Sequence, residues 1–162
     1  MINDLLDWGR IEAGRLTLHS VGFALPDSVE DTIAMLAPMA YDKQLELVYI
    51  IYHDVPLRLR GDPARLQQIM TNLVSNAIKY TTRGEVVLRV MKERDIPGGV
   101  RLRINVSDTG RGLSAEQQRH LFEAFSPASR AGDETSTGLG LSIVRRLSEM
   151  MDGEVSVESE EG

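Results

Sequence analysis

Gly61 to Tyr80 reads GDPARLQQIMTNLVSNAIKY, and its reading decides the fold. Asp62 is a capping residue, able to accept a hydrogen bond from a backbone N–H of the first helical turn. Pro63 suits the first helical position, where it has no intrahelical bond to lose. A helix is therefore expected from Asp62 to about Tyr80. Leu66, Met70, Leu73 and Ala77 lie on a flank that can face a core. Asn72, Asn76, Lys79 and Tyr80, at offsets of four, seven and eight, share another side. Two carboxamides and a cation on one stripe offer oxygen ligands for Mg²⁺ and a donor for phosphate. A solvated helix face with two incidental asparagines fits the same residues equally well.

Outward from this helix the chain alternates between helices and strands. Leu45 to Tyr52 (LELVYIIY) reads as a strand. Before it, Asp27 or Ser28 is placed to cap a helix to about Tyr41, with Pro38 expected to kink or end it. Leu16 to Ala24 alternates loosely, as a strand does. The opening, Ile2 to Leu16, reads as a helix with Ile2, Leu5, Leu6, Ile11 and Leu16 apolar and Gly14 near its end. It begins in mid-helix without a cap, which fits an internal boundary rather than a natural terminus.

On the other side, Thr82-Arg83-Gly84 makes a turn. Glu85 to Glu93 and Val100 to Ser107 form two strands joined by Pro97-Gly98-Gly99. Ser114 caps a helix through Phe122, and Ser126 to Ser136 (SPASRAGDETS) reads as a mobile loop almost without apolar residues. A helix from about Gly138 to Met151 and a strand from Glu154 to Val157 follow. The hairpin excludes an all-parallel sheet, so the expected fold class is α/β, a two-layer sandwich with a mixed sheet.

Two further stretches carry possible chemistry. Val106 to Leu113 (VSDTGRGL) delivers Asp108 from a strand to a turn in which Gly110 and Gly112 permit positive φ or close approach of a ligand. A carboxylate there can accept a hydrogen bond from an amino group such as that of adenine; an ordinary surface turn reads the same way. Thr137-Gly138-Leu139-Gly140-Leu141 opens a helix, where free N–H groups can meet phosphate oxygens. The Walker A pattern and the third glycine of a dinucleotide fingerprint are both absent. Phe122 and Phe125, in LFEAF, are expected to be core anchors at one end of the mobile loop.

Bulk properties narrow the classes. With 162 residues, 42% of them hydrophobic, the sequence can build one domain, or one domain with a short attached segment. A net charge of -6 argues against a duplex DNA partner, and no nucleic-acid partner is expected. The absence of cysteine excludes disulfides and thiolate metal sites and fits a reducing compartment. No apolar run approaches membrane-spanning length, and no signal-peptide pattern opens the chain.

Taken together, the helix stripe, DTGRG, paired phenylalanines, polar loop and TGLGL strongly resemble the N, G1, F and G2 boxes of sensor histidine kinases. That places the chain in the superfamily shared with gyrase, Hsp90 and MutL ATPases. The resemblance runs from about Thr17 onward. INDLLDWGRIEAGRL is similar to the end of the second helix of the kinase dimerisation and phosphoacceptor domain. LAPMAYDKQLEL followed by GDPARLQQIMTNLVSNAIKYT is most similar to hybrid sensor kinases of the GacS/BarA type. The resemblance implies residues 1–16 as the end of the dimerisation helix and 17–162 as the ATP-binding catalytic domain, in the Bergerat (GHKL) fold. The family's glycine-rich turn and last strand would lie beyond Gly162.

It also implies roles. Asn76 matches the magnesium-binding asparagine, Lys79 and Tyr80 match residues at the nucleotide phosphates, and Asp108 matches the adenine-reading aspartate. Gly110 and Gly112 would shape the adenine pocket. Thr137, Gly138, Leu139, Gly140 and Leu141 form the phosphate-side loop. Asn72 stands where the superfamily's ATPases carry a water-activating Glu, and an amide cannot act as that base. The implied cofactors are ATP and Mg²⁺. The implied partners are the parent's phosphoacceptor domain and a downstream response regulator or receiver domain. The parent is expected to be a membrane-anchored homodimer with this domain on the cytoplasmic side.

Two departures stand out. The lid between Phe125 and Thr137 is about two residues shorter than the family's, with Asp133-Glu134-Thr135-Ser136 where a Gly-Gly is common and Arg130 as its only cation. Such a lid would weaken binding or slow transfer. No histidine sits in an acceptor context either. His53-Asp54 follows a strand and precedes Pro56, His19 falls in the Leu16–Ala24 strand, and His120 lies on the helix before the lid. The acceptor is expected on another domain. A degenerate nucleotide sensor and a MutL-like ATPase are the competing readings; Asn72 and the IEAGRL opening disfavour the second.

Overall fold

The computed structural model describes residues 2–126 and 138–161. In chain order its elements are α1 (Ile2–Glu12), β1 (Val21–Ala24), α2 (Leu25–Asp42), β2 (Glu46–Ile51), β3 (Arg58–Gly61), α3 (Pro63–Tyr80), β4 (Glu85–Ile96), β5 (Gly99–Asp108), α4 (Ala115–His120) and α5 (Gly140–Met150). They gather into two compact units. One spans Ser20–Arg111, and the other is built from the described residues of Met1–His19 and Gly112–Gly162.

The unit of Ser20–Arg111 carries the expected mixed sheet. Strand order is β2-β4-β5, with β2 parallel and β5 antiparallel to β4, while β1 and β3 pair antiparallel in a separate ribbon. Alternation puts Val86, Leu88 and Val90 of β4 on one face, where they are buried with Val29, Leu36 and Ala40 of α2 and Met70, Val74 and Ile78 of α3. Leu47 and Ile51 of β2 and Leu102, Ile104 and Val106 of β5 pack against that cluster. Helices over one face of a mixed sheet make two layers. The hairpin turn is as expected: Pro97 and Gly98 join β4 to β5, and Gly98 takes φ +76°, which the second turn position requires. On the strands, the Arg103 guanidinium donates to Glu93 at 2.7 Å and holds its carboxyl below the usual range.

Several local expectations need correction. The strand expected over Leu16–Ala24 is confined to its last four residues, so His19 lies in irregular chain before it. Helix α2 starts at Leu25, and neither Asp27 nor Ser28 caps it. The Leu25 N–H donates to the Leu57 carbonyl at 2.8 Å and Pro26 has no N–H, so two of the four orphan donors need no side chain. Pro38 does not end α2, which runs on to Asp42; Pro38 is exposed, and water can solvate the carbonyl it leaves unpaired. Strand β3, RLRG, was not expected: four residues dominated by two arginines give no apolar alternation to read, and their pairing with β1 defines them.

The other unit contains α1, α4 and α5. Ser114 caps α4 in a full capping box, its hydroxyl accepting from Gln117 N–H while the Gln117 amide oxygen accepts from Ser114 N–H. Residues 151–161 alternate between half-buried and exposed, as a strand would, yet among the described residues Glu154–Val157 joins no ladder. Beside them, Ser159 is held instead by α4 and its approach, its hydroxyl accepting from Leu113 N–H at 2.9 Å and its carbonyl from Gln118 Nε2 at 2.8 Å. Among the described residues no helix is long and apolar enough to cross a membrane.

Helix α2 ends in a Schellman arrangement with an unusual residue. Leu45 N–H reaches the Ala40 carbonyl at 2.9 Å and Gln44 N–H the Tyr41 carbonyl at 2.9 Å, with Gln44 itself at φ +56°. That left-handed position favours glycine. Gln44→Gly is expected to stabilise the chain by about 0.5–1 kcal/mol, a rise of roughly 1–4 °C in melting temperature, whereas Gln44→Ala should give no gain. A thermal melt of both variants checks this, and a lower midpoint for Gln44→Gly would contradict it.

Candidate functional site

Helix α3 forms over Pro63–Tyr80, the span expected, with Asp62 Oδ1 accepting from Arg65 N–H at 3.1 Å. Its core flank buries Met70, Val74 and Ile78 completely. The opposite stripe of Asn72, Asn76, Lys79 and Tyr80 is half-buried throughout. These side chains thus stand at a boundary where a ligand can reach them and water is partly excluded. Among the described residues the Asn76 carboxamide has no hydrogen-bond partner. A half-buried amide without a partner suits a ligand that supplies one.

The turn after β5 closes against the end of this helix. Asp108, opposite Val86 in the ladder, is the last residue of β5. Its Oδ1 accepts from Gly110 N–H at 2.8 Å, and among the described residues Oδ2 accepts nothing. Gly110 is pressed onto α3: a Cβ there would lie 2.7 Å from the Tyr80 carbonyl oxygen, 2.8 Å from Asp108 Oδ1 and 3.2 Å from Thr81 Oγ1. The Tyr80 end of the polar stripe and the aspartate turn are therefore neighbours in space.

Thr109 seals the other side of the turn. Its hydroxyl donates to the Arg83 carbonyl at 3.0 Å and accepts from Glu85 N–H at 3.0 Å. Gly84, at φ +112°, faces that hydroxyl so closely that a side chain there would overlap it. Arg111 adds a second cation beside Tyr80, with its Cζ 5.5 Å from the ring centroid and Lys79 Nζ at 5.2 Å. Sequence reasoning passed over Thr109 and Arg111, because a side chain that braces a turn or stacks on a distant ring leaves no periodic signal. The sole available hint was that both sit inside the DTGRG motif.

The remaining candidates belong to the other unit. Gly112 takes φ +72°, and a Cβ on it would overlap the Glu160 carbonyl, so glycine is required there by the passing chain as well as by backbone conformation. Gly138 is at φ +72°, and α5 begins at Gly140, with Leu139 as an N-cap that makes no side-chain capping bond. Leu139 and Leu141 are buried, so the loop is anchored by leucines while its backbone carries the polar groups. Phe125 corrects an expectation: it is 47% exposed at φ +59°, not a core anchor, and Phe122 is half-buried. Phe125 N–H donates to the Gly138 carbonyl at 3.1 Å. Of the loop expected over Ser126 to Ser136, Ser126 is buried, while the rest, Arg130 included, lies with Thr137 outside the described residues. In this unit a recess of about 470 Å³ is lined by Ile11, Leu16 and Met150 with Glu12, Arg146 and Glu149, and it includes none of the candidate site residues.

The donor set can be tested against Mg-ATP. Asn76 offers an uncharged oxygen, and magnesium characteristically takes few protein ligands and shares phosphate oxygens. Among the described residues no cluster of three His, Asp or Glu side chains is placed to hold a metal. The residues present fit a magnesium ion that comes with its nucleotide.

Residues 61–162 match the family model described as histidine kinase-, DNA gyrase B- and HSP90-like ATPase. The whole chain is 52% identical to part of the sensor histidine kinase GacS of Pseudomonas protegens, and 99% of it is 41% identical to part of the histidine-protein kinase BarA of Escherichia coli K12. It spans 18% of the length of each. Among solved structures, full-length ShkA in complex with AMPPNP superposes on 99% of the chain with a TM-score of 0.84 and 33% identity, the match covering 32% of that protein. The Acinetobacter baumannii histidine kinase AdeS shares the fold over 99% of the chain, with a TM-score of 0.77 at 20% identity.

The close approach at Gly110 generates a prediction. Gly110→Ala should destabilise the chain by about 1–3 kcal/mol, because carbonyl, carboxylate and hydroxyl oxygens of three residues surround the new methyl. Gly22→Ala, which meets nothing within 4 Å, should be neutral or slightly stabilising. Urea midpoints of the two variants decide it; equal midpoints would contradict the packing.

Proposed function

Because the chain belongs to the histidine kinase-, DNA gyrase B- and HSP90-like ATPase family, we propose that it is the ATP-binding catalytic domain of a sensor histidine kinase. In this reading it binds Mg-ATP and passes the γ-phosphoryl group to a histidine on a domain outside these residues. The observation that carries the proposal is the contact of Gly110 with the end of α3, which brings the Tyr80 end of the Asn72/Asn76/Lys79/Tyr80 stripe to the turn of Asp108. Residues 1–16 are read as the end of the dimerisation helix and 17–162 as the catalytic domain.

Each side chain has a task its chemistry suits. Asn76 gives its amide oxygen to magnesium, whose charge offsets that of the phosphates. Lys79 supplies a cation to the phosphates, and Tyr80 lines the same stretch. Asp108 keeps Oδ1 on Gly110 N–H and offers Oδ2 to the adenine amino group. Gly110 and Gly112 shape the adenine side. Thr137, Gly138, Leu139, Gly140 and Leu141 form the phosphate-side loop, with Arg130 as the lid cation. Asn72 cannot take a proton from water, so the phosphoryl group is kept for a protein acceptor. Transfer forms a nitrogen–phosphorus bond on the acceptor imidazole as the bond from phosphorus to the ADP oxygen breaks.

The acceptor belongs elsewhere. His53 lies in the turn after β2, His19 in irregular chain, and His120 ends α4 with its Nδ1 3.0 Å from Glu123 Oε1. The natural partners are the parent's phosphoacceptor helices and a receiver domain. The parent is read as a membrane-anchored homodimer with this domain in the cytoplasm.

The isolated chain should bind Mg-ADP in the micromolar to millimolar range usual for such pairs. Calorimetry on wild type, Asp108→Ala and Asn76→Ala should show both substitutions losing at least about tenfold in affinity with the fold retained. Equal heats for wild type and Asp108→Ala would sink the adenine assignment.

With γ-labelled ATP the chain should not label itself, yet it should label supplied acceptor helices in trans. Acid-labile label lost on His53→Ala would overturn this division of labour. An unlabelled acceptor despite proven nucleotide binding would instead favour a nucleotide-sensing module.

A further inference from the structure

Helix α3 ends without a glycine and without a left-handed cap: Thr81, its C-cap, is extended at φ -102°, ψ 125°. The last carbonyls of a helix have no intrahelical donors and need others. Here side-chain donors from outside the helical ladder meet three of the last four. The Thr81 hydroxyl donates to the Ala77 carbonyl at 2.7 Å. Lys43 Nζ donates to the Ile78 carbonyl at 2.7 Å and to the Lys79 carbonyl at 2.9 Å. The Tyr80 carbonyl faces Gly110. Lys43 comes from another helix, as the C-cap residue of α2. Its backbone is pinned by the Gln44 and Leu45 bonds that close that helix, and Leu45 is buried. A half-buried ammonium, launched from a rigid turn, thus clamps the final turn of α3 and complements the negative end of its dipole.

Resting on the nucleotide-binding reading above, we propose that Lys43 is a positioning residue for nucleotide binding. It holds the turn that carries Lys79 and Tyr80 in register with Asp108 and acts on phosphate through Lys79 without touching ligand. Both acceptors of its ammonium are carbonyls of a site helix, one of them the carbonyl of the phosphate-contacting residue itself. Without the clamp the last turn is free to fray, and a helix end that frays places Lys79 over a range of positions.

The test uses the 162-residue chain with Mg-ADP, measuring affinity by calorimetry at a temperature where each variant is folded, and melting temperature separately. Lys43→Met keeps the alkyl stem and removes the donors; it should weaken binding at least about tenfold. Lys43→Arg, which restores a cation and its donors, should recover most of the loss. Lys79→Ala provides the decisive background: if Lys43 acts through Lys79, the double variant should bind no worse than Lys79→Ala alone. Should Lys43→Met melt too low to assay, Lys43→Gln, which keeps a donor without the charge, should show the same coupling. A lowered melting temperature with unchanged affinity would overturn the proposal, leaving Lys43 a purely structural clamp, and so would additive losses in the double variant. A wild type that binds no nucleotide would overturn the reading on which the proposal rests, a result distinct from either.

Discussion

The contact between Gly110 and the C-terminal end of α3 is the constraint around which this unit is arranged. Three oxygen atoms, from Tyr80, Asp108 and Thr81, lie 2.7, 2.8 and 3.2 Å from where a Cβ on residue 110 would be. The approach joins two stretches that the β4–β5 hairpin separates in sequence, and it works only because the ladder delivers Asp108 to that point. Val86 pairs with Asp108 on one side and with Leu47 on the other, so one register fixes both the core and the turn. Slipping it by one residue would turn Val86, Leu88 and Val90 outward and carry Asp108 away from the helix.

Helix α3 couples packing to chemistry in a similar way. Met70, Val74 and Ile78 are fully buried on one flank, and Asn72, Asn76, Lys79 and Tyr80 are half-buried on another. At 3.6 residues per turn the two sets cannot move independently. A repacked core would rotate the stripe, so the same residues that hold the unit together fix where the stripe points. The turn itself is braced through Thr109, whose hydroxyl joins the Arg83 carbonyl to Glu85 N–H across Gly84. The chain belongs to the histidine kinase-, DNA gyrase B- and HSP90-like ATPase family, and its 18% share of GacS and BarA sets the scale of what surrounds the matching residues in those relatives.

What the sequence determined by itself was local. Asp62-Pro63 set the start of α3, Ser114 and Gln117 the start of α4, and Pro97-Gly98 the hairpin, because caps and turns are written in one or a few adjacent residues. The 3.6-residue period placed the polar stripe on one side of α3, and the order of the motifs was enough to suggest the family. Tertiary structure decided whatever depends on a distant partner. β3 exists because β1 pairs with it, Glu154–Val157 lies in no ladder among the described residues, and α2 starts without a side-chain cap because the Leu57 carbonyl takes the bond. Phe125 is exposed although its type favours burial. Thr109, Arg111 and Lys43 acquire their contacts from chain that is remote in sequence, and the glycine at 110 is required by the carbonyl of Tyr80, a whole hairpin earlier. Hydrogen bonds and close approaches between remote segments follow from how the layers stack, and no period or adjacent-residue rule encodes that stacking.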